Sequence, residues 1–85
     1  MSDLNIQFET ALAQSKEISE KPSNEDLLFM YSHFKQATKG DCTGKRPGMM
    51  DMIARAKFDS WKELAGMTTE IAQQKYIDKI EELRK

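Results

Sequence analysis

The chain has 85 residues, 39% of them hydrophobic and 32% charged, with two prolines, four glycines, one cysteine and a formal net charge of −1. That length suits one small domain, expected to span residues 1–85, in which roughly two-thirds of the unfolded surface is buried on folding. No apolar run reaches the roughly 18 residues needed to cross a bilayer, and a single cysteine, Cys42, excludes an internal disulfide framework. Met1–Gln7 has neither the basic nor the apolar region of a secretion signal, so a cytoplasmic protein without stable membrane insertion is expected.

Leu4, Phe8, Ala11, Leu12, Ser15 and Ile18 fall at helical spacing and predict a first helix. Ser2 or Asp3 can cap it, and Pro22 ends it at Glu20-Lys21. Ser23 is placed to cap a second helix, with Glu25 and Asp26 in its first turn. Leu27, Leu28, Tyr31, Phe34 and Ala37 follow at helical spacing, and Gly40 is a natural stop. Residues 41–50 lack periodicity and contain Asp41, Gly44, Pro47 and Gly48, which makes them a loop. Such a connection is long for a small bundle, and long enough for the helices it joins to run parallel.

A third helix is predicted from Met49 or Asp51 to Leu64 or Ala65, with Gly66 just past its end. Thr68 or Thr69 caps a fourth, whose apolar face is Ala72, Tyr76, Ile77, Ile80 and Leu83. With no strand candidate, the expected fold class is all-α, a small four-helix bundle.

Charge is unevenly distributed along this frame. Residues 35–62 carry a net +4 and the remainder a net −5. A basic middle in an acidic protein predicts a local anion site and not a track for nucleic acid. On a helix, Tyr31, Phe34 and Lys35 share a face, and Lys57 and Trp61 repeat a cation–ring pair four residues apart. Rings cover planar groups and ammonium groups hold phosphates as point charges, so the pattern suits a ligand with an aromatic ring and several phosphates.

Four blocks now stand in order: Tyr31–Asp41 (YSHFKQATKGD), Arg46–Asp51 (RPGMMD), Ala56–Leu64 (AKFDSWKEL) and Tyr76–Leu83 (YIDKIEEL). In sequence and spacing they resemble the acyl-CoA-binding protein family, also called the diazepam-binding inhibitor family, from about Phe8 to the C-terminus. The resemblance implies an up-down-down-up bundle that binds medium- and long-chain acyl-CoA thioesters. It implies that Tyr31 and Lys35 meet the nucleotide end of coenzyme A, with Lys35 on the 3′-phosphate, and that Lys57 also meets the phosphates. Tyr76 is implied to reach the ligand while packing on the first helix, and Lys16 to lie near the nucleotide. Phe34 stands where the family commonly has tyrosine, keeping the ring and losing the hydroxyl. Ile53 stands where lysine is frequent, and Phe58 where tryptophan is frequent.

An acyl chain adds an apolar demand. At about 0.8 kcal/mol per methylene removed from water, a chain of about sixteen carbons contributes roughly 10 kcal/mol before ordering costs. Leu27, Leu28, Met30 and Ala56 are the candidate lining of such a groove, and the six methionines suit an adaptable surface. The expected protein is therefore a non-enzymatic, monomeric intracellular carrier and buffer of long-chain acyl-CoA, using no cofactor and no nucleic acid. The alternative is a helical protein–protein interaction module without a lipid ligand, using the Tyr31–Phe34 surface. A thioester-cleaving enzyme would need Cys42 with His33, which is expected at the surface or partly buried. One histidine excludes a two-histidine metal site, and Gly40, Gly44 and Gly48 match no nucleotide fingerprint.

Overall fold

Short polar side chains set where the helices begin. The Ser23 hydroxyl accepts the Asp26 N–H at 3.1 Å, the Asp51 carboxylate accepts that of Ala54 at 3.2 Å, and the Thr68 hydroxyl that of Ile71 at 3.1 Å. The computed structural model describes residues 3–84 and has four α-helices: α1 (Asp3–Gln14), α2 (Asn24–Lys39), α3 (Met52–Lys62) and α4 (Thr69–Arg84). Gly40 ends α2 at φ +80°, a backbone region that a side chain would strain, with its N–H on the Gln36 carbonyl.

Two boundaries differ from expectation. The α-helical part of α1 stops at Gln14, a 3-10 turn follows over Ser15–Glu17, and Ile18 is already extended. Here the Ser15 hydroxyl donates to the Leu12 carbonyl at 2.7 Å and competes with the backbone bond that would continue the helix. The expected cap at Ser2 lies outside the described residues, and Asp3 sits in the first turn. Likewise, α3 ends at Lys62, because Leu64, Ala65 and Met67 bond three residues back and tighten the chain into turns.

Register pairs give the topology. Asn5 meets Gln73 and Phe8 meets Tyr76, so α1 and α4 run parallel. Asp26 meets Lys79 while Phe34 meets Tyr76, so α2 runs antiparallel to α4. Tyr31 lies beside Lys57 and Lys35 beside Trp61, so α2 and α3 run parallel, joined by the long loop. The result is the up-down-down-up bundle. Its core is Phe8, Ala11, Ala37, Ala72, Tyr76, Ile77 and Ile80, with Leu4, Leu12, Ile18, Met30, Phe34 and Met67 packed around it.

A polar clasp closes one end. Gln36 is fully buried on α2, and its amide NH2 donates to the Asp41 carboxylate and to the Met67 carbonyl, both at 2.8 Å. Asp41 also accepts the Gly66 N–H at 2.9 Å. The Gln36 amide and then the Gly66 N–H hold the Asp41 carboxyl below its ordinary pKa. Replacing Gln36 by Leu leaves the partly buried Met67 carbonyl without its donor. The expected cost is about 2 kcal/mol, a fall in Tm of roughly 10 °C, read by thermal unfolding.

His33 is buried more deeply than the expected surface or partly buried position. It is 5% exposed, stacks on Phe29 with ring centroids 3.9 Å apart, and places Nδ1 2.8 Å from the Phe29 carbonyl oxygen. Burial pushes its pKa below the ordinary 6.5; the Phe29 carbonyl opposes that shift and the Lys75 and Lys79 charges add to it. Below pH 6.5 the unfolded chain therefore takes up a proton that the folded chain resists. This group's contribution to stability should be level above that pH and fall as the pH drops below it. Urea midpoints above and below that pH check it, and His33→Gln should flatten the dependence.

Candidate functional site

The parallel pairing of α2 and α3 brings together Tyr31, Lys35, Lys57 and Trp61. Trp61 is the anchor: it is buried, and its Nε1–H donates to the Gly40 carbonyl at 2.8 Å, tying α3 to the end of α2. Around it, the Lys35 ammonium lies 5.3 Å from the Trp61 ring centroid and 5.9 Å from that of Tyr31. The Lys57 ammonium reaches the same Tyr31 ring from the other helix, at 5.4 Å. Both are at cation–π distance. Lys35 and Tyr31 are half-buried and Lys57 is exposed.

Neither ammonium has a carboxylate at ion-pair distance among the described residues. The acids nearby are used elsewhere. Asp59 takes a two-pronged bond from Arg46, Nε to Oδ1 at 3.0 Å and Nη2 to Oδ2 at 2.7 Å, which pins the loop to α3. That guanidinium holds the Asp59 carboxyl below its usual range. Asp51 is occupied as the cap of α3 and Asp41 in the clasp. Two cations thus converge on one aromatic ring and face solvent uncompensated. Chemically this can seat a planar ring against Tyr31 and receive phosphate oxygens from two sides.

The other sequence candidates lie apart from this cluster. Phe34 turns away from α3, toward the core, stacking on Phe8 at 6.4 Å and lying 6.5 Å from Tyr76. The expected single face of Tyr31, Phe34 and Lys35 is therefore split between two neighbouring helices. Tyr76 is 4% exposed and meets Phe8 edge-on at 5.4 Å. Burial pushes its phenol above the ordinary pKa, and the neighbouring Ser15 hydroxyl opposes that in part. Lys16 is exposed on the 3-10 turn beside Ser15 and makes no hydrogen bond or ion pair among the described residues.

Of the residues expected to line a groove, Leu27 is exposed one turn before Tyr31, and Leu28 and Ala56 are half-buried. Met30 is partly buried and packs against the core. A shallow hollow of about 360 Å³ lies against α3, lined by Met49, Met52, Arg55, Ala56 and Asp59. Sequence reading passed over the clasp residues Gln36 and Asp41, whose partners are distant in the chain. It also passed over the run of exposed apolar residues from Met49 to Ile53, which the Met-Met-Asp-Met-Ile string does signal. Among the described residues there is no cluster of three metal-ligating side chains, and no helix is long and apolar enough to cross a membrane.

The fold and this cleft define a small all-α module with an open, aromatic, doubly cationic site between two parallel helices. Residues 5–80 match the family model described as acyl CoA binding protein. The acyl-CoA-binding protein of Brassica napus is 45% identical over 80 residues, covering 94% of this chain and 87% of that protein. The homolog from Manduca sexta is 43% identical over 81 residues, covering 94% and 90%. The crystal structure of acyl-CoA-binding protein 2 from Oryza sativa superposes with a TM-score of 0.91 at 38% identity, over 95% of this chain and 88% of that one. The chain belongs to the acyl-CoA-binding protein family. Enoyl-CoA delta isomerase 2 of Rattus norvegicus is 41% identical over 76 residues, which is only 19% of that enzyme, so the likeness leaves most of the enzyme unmatched.

Trp61→Phe keeps a ring beneath Lys35 and removes the donor to the Gly40 carbonyl. The expected loss is about 1 kcal/mol of stability, seen as a lower urea midpoint at unchanged slope.

Proposed function

We propose that this protein binds medium- and long-chain acyl-CoA thioesters without covalent chemistry, as a single domain that carries them and buffers their free concentration. The observation that carries this reading is the convergence of Lys35 and Lys57 on the Tyr31 ring with no carboxylate to neutralise them. Family membership supports the same ligand.

Under this reading the nucleotide of coenzyme A lies at Tyr31, and its phosphates take the two ammonium groups from separate helices. Each contact is a charge-assisted bond in a partly dry cleft, stronger than a neutral one. The acyl chain runs along apolar surface that includes Leu27, Leu28 and Ala56. Tyr76 and Phe34 act mainly by packing with Phe8 behind the cleft, which keeps α2 at its depth; Lys16 adds a cation at the far end of α1. The protein works as a cytoplasmic monomer, with no cofactor and no reaction of its own. The helical-interaction alternative has no observation in its favour at this cleft: unpaired cations flanking one ring suit an anionic ligand better than an apolar protein face.

Calorimetric titration with palmitoyl-CoA below its micelle concentration is the test, with free coenzyme A and palmitate as controls. Tight one-to-one binding of the ester, weak binding of both fragments and no thioester cleavage are expected. Lys35→Ala and Lys57→Ala should each weaken binding by about 10- to 100-fold, the worth of one charge-assisted bond, with unfolding midpoints nearly unchanged. Wild-type affinity in both variants would defeat the reading.

A further inference from the structure

Lys39 stands exposed in the last turn of α2, with no hydrogen bond or ion pair among the described residues. The nearest carboxylate in sequence, Asp41, is held by the Gln36 amide and the Gly66 N–H. Lys39 follows Lys35 by four residues, so the two share a face of α2, about 6 Å apart along the axis. That face meets α3. Lys35 lies over the Trp61 ring, and the Trp61 indole is tied to the carbonyl of Gly40, the residue next to Lys39. Lys39 therefore continues the line from Tyr31 through Lys35 by one more turn.

An exposed charge without a partner acts chiefly at a distance. At physiological ionic strength that distance is roughly 8 Å, so an anion approaching Lys35 also feels Lys39. Residues 35–62 carry a net +4 and the remainder a net −5, which makes the cleft side the positive pole of the molecule and the rest repellent to anions. We propose that Lys39 is a guide cation for the Tyr31 cleft: it draws the phosphates of an incoming ligand onto the α2–α3 face and sets how fast the complex forms. The inference rests on the ligand reading above for the identity of that anion. A long exposed side chain with no bonded neighbour has no fixed position from which to orient a phosphate. Charges of this kind at a rim change association rates and their salt dependence more than they change dissociation. Lys35 and Lys57, placed against rings, hold the phosphates once they arrive. A cation in a last helical turn also complements the helix dipole, but that role moves stability and leaves the association rate alone.

Stopped-flow mixing of the full chain with dodecanoyl-CoA below its micelle concentration tests this, read by the fluorescence of Trp61, the chain's one tryptophan. The wild-type association rate constant should fall steeply between low and high salt. Lys39→Glu should lower it by about three- to tenfold at low salt, and Lys39→Gln by roughly half as much on a logarithmic scale. Dissociation rates should stay within about twofold of wild type, and the three proteins should converge at high salt. An association rate unchanged in both variants overturns the inference, whether or not the urea midpoint falls, and a fall in midpoint alone assigns Lys39 to the helix end. A faster dissociation with unchanged association overturns it as well and makes Lys39 a contact residue. No binding by the wild type is a different failure, that of the ligand reading itself.

Discussion

The Gln36 amide fixes the frame on which the cleft depends. Its two N–H bonds tie the end of α2 to the start of the long loop, through Asp41, and to the turn before α4, through the Met67 carbonyl. Asp41 carries the connection on to the Gly66 N–H. Three chain segments therefore meet at one buried side chain, just beyond the turn where Trp61 takes the Gly40 carbonyl. Parallel helices cannot be joined by a short turn, and nothing in helix propensity sets their relative height. Here that height is set by directional bonds at one end. Sliding α3 along α2 by one helical turn, about 5.4 Å, would break the Trp61 bond and remove Lys57 from Tyr31.

Once the height is fixed, the remaining question is electrostatic. Some charges in this small protein find partners among the described residues: Arg46 with Asp59, and Lys79 with Asp26 and Glu82 while lying 4.8 Å over the Phe29 ring. Lys35 and Lys57 instead share the face of Tyr31, where the ring quadrupole offsets a small part of their mutual repulsion. An arrangement of this kind gains free energy when an anion arrives, because the anion relieves repulsion as well as adding attraction. Satisfied aromatic residues sit behind it. Phe8, Phe34 and Tyr76 pack on one another and stiffen the wall without exposing polar demand.

Much of this was legible in the sequence, and the reason differs by residue. Ser23, Asp51, Thr68, Gly40 and Gly66 act on backbone groups within a few residues, so their roles follow from type and position alone. Tyr31, Lys35, Lys57 and Trp61 were legible through helical spacing plus the family resemblance. Phe34 was only half legible: spacing places it near Tyr31, but whether it faces α3 or α4 depends on where those helices pack. Gln36 could not be read, because its partners are five and thirty-one residues away. For His33 the position on the helix suggested a surface or partly buried residue, yet a backbone carbonyl four residues back and a stacked Phe29 satisfy it inside. The early end of α1 was hidden in one serine hydroxyl.

Ile53 is exposed beside the cleft, at the start of α3. It sits one turn before Lys57 on the same side of α3, as Leu27 sits one turn before Tyr31 on α2, and both are exposed. A lysine at that position, frequent in the family, would put a third positive charge beside Lys57 and raise the repulsion the empty cleft must bear. Isoleucine removes that charge and leaves an exposed apolar side chain one turn before Lys57. The substitution therefore trades phosphate attraction for apolar contact. In a protein proposed to carry a ligand with one charged and one apolar end, that trade moves recognition toward the acyl end.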